Sequence, residues 1–246
     1  MEVHVMTSPH FRSWAATHPG AKRGHNEDAY VDRPDLGLWA VADGAGGHAA
    51  GEVASGMIAD ALQAIPPGLA ASELLAQVRL AIERTHASLR EEAAQRGPDV
   101  LVASTVVVML ARGEHFACLW AGDSRAYLLR NGTLRQITRD HSLVQELLEA
   151  GAIGPDEVEN HPRANVITRA VGAEVDEFTL DKVSDRLVPG DRFLLCSDGL
   201  CKTLPESELG TLLAAPDGEP SKALVDAALA MNVSDNVTAV AVEFTG

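Results

Sequence analysis

Carboxylates recur in this chain where apolar, strand-like runs begin or end. Asp43 closes the run 38–42, Asp123 follows 115–121 after one glycine, and Asp198 follows 192–196 after one serine. Asp28 and Asp235 each precede such a run, and Glu27 adjoins the first of them. Hard cations such as Mg²⁺ and Mn²⁺ take carboxylate oxygens, so these residue types suit a divalent-cation site. In an antiparallel sheet the end of one strand and the start of the next share an edge, which would bring all five aspartates to one rim. Bare carboxylates held that close repel each other and their pKa values rise. Two cations about 3.5–4 Å apart would remove the conflict, acidify a shared water and clamp the oxygens of an in-line displacement. One Asp-Gly alone is an ordinary turn pair; five acidic positions in similar contexts are harder to assign to turns. No Cys/His cluster at zinc spacing competes for the metal. Arg23, five residues before Asp28, could grip a phosphate with its forked guanidinium.

Hydrophobic periodicity predicts the elements that must position these groups. Strands are expected at 38–42, 104–110, 115–121, 126–129, 133–137, 178–183, 192–196 and 237–244. Asn131-Gly132 between two of them is a strong hairpin signal. Helices are expected at 52–65, with Val53, Met57, Ile58, Ala61, Leu62 and Ile65 as its apolar face, and from an N-cap at Ser72 to a stop at Gly97-Pro98. The stripe of that second helix is Leu75, Val78, Ile82 and Leu89. Further helices are expected at 142–150, 205–214 and 221–230. Residues 153–165 are polar and irregular. This order is not a strand–helix alternation; it predicts an α+β domain of antiparallel sheets with helices outside.

Of 246 residues, 46% are hydrophobic and 22% charged, enough apolar matter for a sizeable core in one domain over 1–246. The net charge of −15 argues against nucleic acid as a partner, because such binders carry a basic footprint. No run of about 18 apolar residues predicts a membrane span, and residues 1–14 lack the pattern of a secretory leader. Three cysteines, an odd number without a disulfide framework, suit a reducing compartment, so a cytoplasmic protein is expected. Cys118 and Cys196 read as core residues; Cys201 lies near the suspected site.

Taken together, the motifs resemble the PP2C type of metal-dependent protein phosphatase. The resemblance rests on Arg23-Gly-His-Asn26-Glu27-Asp28, Asp43-Gly44-Ala-Gly46-Gly47-His48, Ala103-Ser104-Thr105 and Gly122-Asp123-Ser124-Arg125. It continues in Thr138-Arg-Asp140-His141-Ser142, Ile167-Thr-Arg169-Ala-Val-Gly172, Ser197-Asp198-Gly199-Leu200 and Ser234-Asp235-Asn236-Val237-Thr238. Each motif is short; eight in family order across most of the chain are specific. The resemblance implies an αββα sandwich of two antiparallel sheets flanked by helices. It implies hydrolysis of phosphoserine and phosphothreonine on proteins with two Mn²⁺ or Mg²⁺ ions. It further implies that Asp43 bridges both metals, that the Gly44 carbonyl binds one, and that Asp198 and Asp235 bind the other. Glu27 and Asp28 would support the metals directly or through water. Arg23 would hold the substrate phosphate, and Asp123 with Asp198 would contribute to a third metal. Residues 147–166 correspond to a mobile flap. Ala45 stands where eukaryotic members carry a histidine general acid, leaving His25 and His48 as nearby candidates or a metal-bound water as the donor. Two other readings are a catalytically silent binding module and an enzyme of small phosphate esters. The stretch from Val31 to Trp39 and Gly51 to Ser55 resembles stand-alone bacterial phosphatases that accompany type VI secretion and oppose a threonine kinase.

Overall fold

The structure, a computed structural model, describes residues 4–7, 10–46, 50–97, 99–158, 160–174, 177–216 and 218–246. His48 and Gly47 of the second motif, and Pro98, lie outside the described residues. The strands are β1 (His4–Thr7), β2 (Phe11–His18), β3 (Asp28–Arg33), β4 (Leu38–Ala45), β5 (Ala103–Ser104), β6 (Val106–Arg112), β7 (His115–Ala121), β8 (Arg125–Arg130), β9 (Thr133–Gln136), β10 (Asp181–Arg186), β11 (Arg192–Cys196) and β12 (Val237–Phe244). The helices are α1 (Ala50–Gln63), α2 (Ala71–Arg96), α3 (Leu143–Glu149), α4 (Asp198–Cys201), α5 (Glu206–Ala214) and α6 (Pro220–Ala230).

The strands form two antiparallel sheets. One runs β1-β2-β12-β11-β8-β9; the other runs β10-β7-β6-β4-β3, with β5 paired to β4. Three layers of apolar packing explain why so many strands read as unbroken apolar runs. On β6, Val106 and Val108 face the cluster that includes Ile58, Leu62, Val78 and Ile82 of α1 and α2. The alternate residues Val107 and Met109 face Phe193, Leu195 and Val240 of the other sheet. That other sheet's outer face, with Trp14, Tyr127 and Leu194, is covered by Leu209 of α5 and Leu224 and Val225 of α6. The result is the expected αββα sandwich. With both faces of each sheet buried, a strand has no solvent side to mark its period.

Local chemistry explains most boundaries. Asn131 and Gly132 both take positive φ, 52° and 76°, which a type I′ hairpin turn requires. Ser142 caps α3, its hydroxyl accepting from the Gln145 N–H at 3.3 Å. Ser72 does not cap α2. The N-cap is Ala70, two residues earlier, and the Glu73 carboxylate accepts from the Ala70 N–H at 2.7 Å. Its buried stripe accordingly begins at Leu74, with Leu75 only packed against it. On α1 the buried face is Ala50, Gly51, Ala54, Ser55, Ile58 and Leu62, because small side chains let the helix approach β4 more closely than Val53 or Met57 would.

Three strand expectations change. The strand expected at 178–183 is β10, three residues later. It is a mostly exposed edge strand, so its sequence carries little apolar period, and Phe178 instead stacks on His86 at 4.4 Å. The run 104–110 divides into β5 and β6. Strands β1 and β2 were not expected; β2 buries Phe11, Ser13, Trp14, Ala15 and Ala16, and with both its faces packed it shows no alternation of apolar and polar residues.

Candidate active site

The five carboxylate-bearing positions reach one end of the sandwich, but from both sheets rather than from one edge. Asp28 opens β3 and pairs in register with Asp43 near the end of β4. Asp123 follows β7, Asp198 begins α4 directly after β11 and Ser197, and Asp235 precedes β12. A cleft of about 480 Å³ is lined by Glu27, Asp43, Asp123, Asp198, Asp235 and Arg23. Gly44 lines it as well. Asp28 does not; it lies buried behind the rim.

The two sheets are tied at this rim by side-chain hydroxyls. Ser197 Oγ donates to Asp28 Oδ2 at 2.8 Å and Thr238 Oγ1 donates to the same oxygen at 2.6 Å. The Thr238 N–H donates back to Ser197 Oγ at 3.0 Å. Asn236 fixes the loop that carries Arg23 and Glu27: its Nδ2 donates to the Pro19 and His25 carbonyls, and its Oδ1 accepts from the Glu27 N–H at 2.8 Å. The motif Ala103-Ser104-Thr105 holds Asp43. Ser104 Oγ donates to the Asp43 carbonyl at 2.9 Å, and the Asp43 N–H donates to Thr105 Oγ1 at 3.2 Å. Thr105 in turn shares a 2.7 Å hydrogen bond with Ser124, beside Asp123.

Two glycines follow from close approach. A Cβ on Gly44 would lie 2.1 Å from the Gly51 carbonyl oxygen and 2.7 Å from that of Glu27. One on Gly199 would lie 2.0 Å from the Asn236 carbonyl oxygen. Both Asp-Gly pairs therefore bring backbone segments together at the rim, a stricter demand than an ordinary turn makes.

The electrostatics are those of crowded acids. Burial raises the Asp43 pKa well above the usual carboxylate range, and the negative charges of Asp28, Asp198, Asp123 and Asp235 push it further. Asp28 is pushed up to about 7, chiefly by burial and against the hydrogen bonds from Thr238 and Ser197 that favour its anion. Asp123 is raised by burial and by Asp198, opposed by Lys202. Two cationic side chains answer part of this charge. Arg23 pairs with Asp235 at 3.0 Å, both side chains about half exposed. Lys202 Nζ lies 2.7 Å from Asp198 Oδ2 and 3.0 Å from Asp123 Oδ2.

Among the described residues, no three His, Cys, Asp or Glu side chains already converge on one point at ligand distance. The donor set nevertheless fits hard cations in chemistry. Asp28 Oδ1 and Asp123 Oδ1 are buried without a hydrogen-bond partner among the described residues, and ionisation of the cluster is opposed by its own charge. Divalent cations in the cleft would relieve that charge.

The remaining motif residues have structural tasks. Arg125 makes a forked bond to Asp140, at 2.8 Å and 3.0 Å, and Asp140 also accepts from Gln136. His141 Nδ1 accepts from the Gly122 N–H at 3.1 Å. Arg169 bonds Asp181 at 2.7 Å. Cys118 and Cys196 are core residues, as expected, and Cys201 is partly buried outside the cleft lining. His25 is exposed and does not line the cleft. The irregular segment beside the cleft begins at Ala150, since Leu147 to Glu149 belong to α3. The roles of Lys202 and Asn165 at the rim were not anticipated. The four-residue spacing from Asp198 to Lys202 would have pointed to the first, had α4 been read as a helix; nothing local marks the second.

Residues 21–221 match the family described as protein phosphatase 2C. The chain belongs to the protein phosphatase 2C family. It is 37% identical over 223 residues to the serine/threonine protein phosphatase PstP of Mycobacterium tuberculosis, covering 90% of this chain and 42% of that protein. The chain thus spans less than half the length of PstP. It is 35% identical over 240 residues to the serine/threonine phosphatase stp of Listeria monocytogenes, covering 92% of this chain and 93% of the relative. Among solved structures, PppA, described as a key regulatory component of T6SS in Pseudomonas aeruginosa, superposes with a TM-score of 0.88 at 44% identity, covering 96% of this chain and 98% of that one. The PstP catalytic domain has been solved in complex with two manganese ions; it superposes with a TM-score of 0.83 at 33% identity, covering 96% of this chain and 99% of that one. Among the described residues no helix is long and apolar enough to cross a membrane.

Proposed function

We propose that this chain hydrolyses phosphoserine and phosphothreonine on proteins with Mn²⁺ or Mg²⁺, as one catalytic domain over residues 1–246. The observation that carries this reading is the delivery of carboxylates from both sheets to one cleft that Arg23 also lines. When bound, two cations supply Lewis acidity and a water of lowered pKa. Asp43 would serve both cations, the Gly44 carbonyl would hold one, and Asp198 and Asp235 would hold the other. Glu27 and Asp28 would support them directly or through water, and Asp123 with Asp198 is the pair a third cation would need.

The protein's own residues do the rest. Ser104 and Thr105 fix the Asp43 backbone on a rigid strand end, so its carboxylate is presented without reorganisation. The Arg23 guanidinium, exposed on its pair with Asp235, can turn its donors to the substrate phosphate and neutralise charge on the equatorial oxygens. No histidine among the described residues lines the cleft, and His48 lies outside them; a cleft water or His48 is the proposed proton donor to the leaving hydroxyl. The irregular segment 150–166 acts as a flap beside the site.

The test is phosphate release from p-nitrophenyl phosphate and a phosphothreonine peptide with Mn²⁺, Mg²⁺ or EDTA. Metal-dependent release, lost in EDTA and in Asp43→Asn, is expected. No release by folded protein with either ion would overturn the reading in favour of a silent binding module. The likeness to PppA supports a regulatory place in type VI secretion, where the proposed role is to oppose a serine/threonine kinase. Phosphoproteins that accumulate in a deletion strain would include components of that system.

A further inference from the structure

The Lys202 ammonium is held unlike any surface lysine of this chain. An ammonium has three N–H donors. Here all three have acceptors: Asp198 Oδ2 at 2.7 Å, Asp123 Oδ2 at 3.0 Å and Asn165 Oδ1 at 3.2 Å. Its partner Asp123 is almost fully buried, with 4% of its side chain exposed, whereas both partners of the Arg23–Asp235 pair are about half exposed. The lysine is placed by local geometry. It caps α4, its N–H donating to the Asp198 carbonyl at 2.8 Å, and one helical turn carries its side chain back over the Asp198 carboxylate. Asn165 belongs to the irregular segment beside the cleft, so the same ammonium latches that segment to the rim.

We infer that Lys202 is a resident cation at the Asp123–Asp198 subsite, so that this chain holds two divalent ions and excludes a third. This rests on the two-cation reading above. A divalent ion at Asp123 and Asp198 would have to displace a fully bonded ammonium, itself about one-third exposed, or stand beside its positive charge, and either opposes binding. The Asp235 side of the cleft carries only the exposed Arg23 and stays available.

The measurement is Mn²⁺ binding by equilibrium dialysis and calorimetry on the wild-type chain and on Lys202→Met, which keeps the apolar stem. Two bound equivalents are expected for wild type and three for Lys202→Met. The affinity of the added site is expected to exceed any residual wild-type third site by about tenfold or more. Lys202→Arg, which keeps the charge, should return the count to two. Asp123→Asn in the Lys202→Met background should abolish the third equivalent, which shows that the gained ion sits on that carboxylate. Circular dichroism confirms that each variant is folded. Equal counts in wild type and Lys202→Met overturn the inference and leave the two-cation reading intact. No Mn²⁺ bound by folded wild type overturns both.

Discussion

Asp28→Asn should stabilise the metal-free protein while weakening the site. Asp28 carries a folded-state pKa of about 7 against an ordinary 3.8, because burial and the neighbouring Asp198 and Asp235 disfavour its anion. The folded pKa is raised, so the stability it permits is complete below pH 3.8, falls as pH rises towards 7 and stays low above. A shift of about three units corresponds to about 4 kcal/mol at pH 8 and about 1.5 kcal/mol at pH 5. Neighbouring acids relax when Asp28 is neutral, so the expected gain for Asp28→Asn at pH 8 is about 2–4 kcal/mol. In a domain of this size that corresponds to a rise in Tm of roughly 5–10 °C. An asparagine oxygen can still accept from Ser197 and Thr238, so the joint between the sheets survives. The assay is thermal unfolding in EDTA at pH 5 and pH 8, repeated with saturating Mn²⁺. The variant's advantage should grow with pH in EDTA, and the wild type should gain more from Mn²⁺ than the variant does. An Asn variant no more stable than wild type at pH 8, or an advantage independent of pH, would refute the picture of a cluster strained by its own charge.

Arg23→Ala should raise KM for a phosphopeptide more than it lowers kcat, with a loss in kcat/KM of about 10–100-fold from one charge-assisted anchor; unchanged KM and kcat would remove Arg23 from substrate binding. Arg125→Met breaks its forked bond to Asp140, whose side chain is 11% exposed, and should lower Tm by roughly 5–10 °C, the equivalent of about 2–3 kcal/mol for a mostly buried pair; a smaller drop than about 2 °C would make this motif dispensable to the fold. His86 accepts from the Gly172 N–H at 2.9 Å, and burial, then Arg90, lowers its pKa. Its contribution is therefore present above pH 6.5 and lost as pH falls, so the Tm gap between wild type and His86→Phe should narrow from pH 7.5 to pH 5.5. A gap constant across that range would show that the neutral ring is not what the fold uses.

By itself the sequence determined the ingredients. Apolar runs ending in Asp-Gly, the Asn131-Gly132 turn and the stripe Val78, Ile82 and Leu89 marked strands, a hairpin and a helix. These signals are local, set by side-chain period and backbone φ. The acidic positions were legible too, because each sits where a run begins or ends. What tertiary structure alone decided is long-range. Two sheets, not one edge, deliver the rim; Asp28 is pulled behind it by Ser197 and Thr238, 169 and 210 residues away. The edge strand β10 escaped because an exposed strand buries too little to show a period, and β2 because residues on both its faces are buried, Phe11, Ser13 and Ala15 as well as Trp14 and Ala16, which erases the alternation. Lys202 illustrates the division best. Its spacing from Asp198 is written in four residues, but its second and third partners, Asp123 and Asn165, come from 79 and 37 residues away. Only folding brings one ammonium and three acceptors to the same point, because the partners meet through packing of elements and no local pattern encodes that meeting.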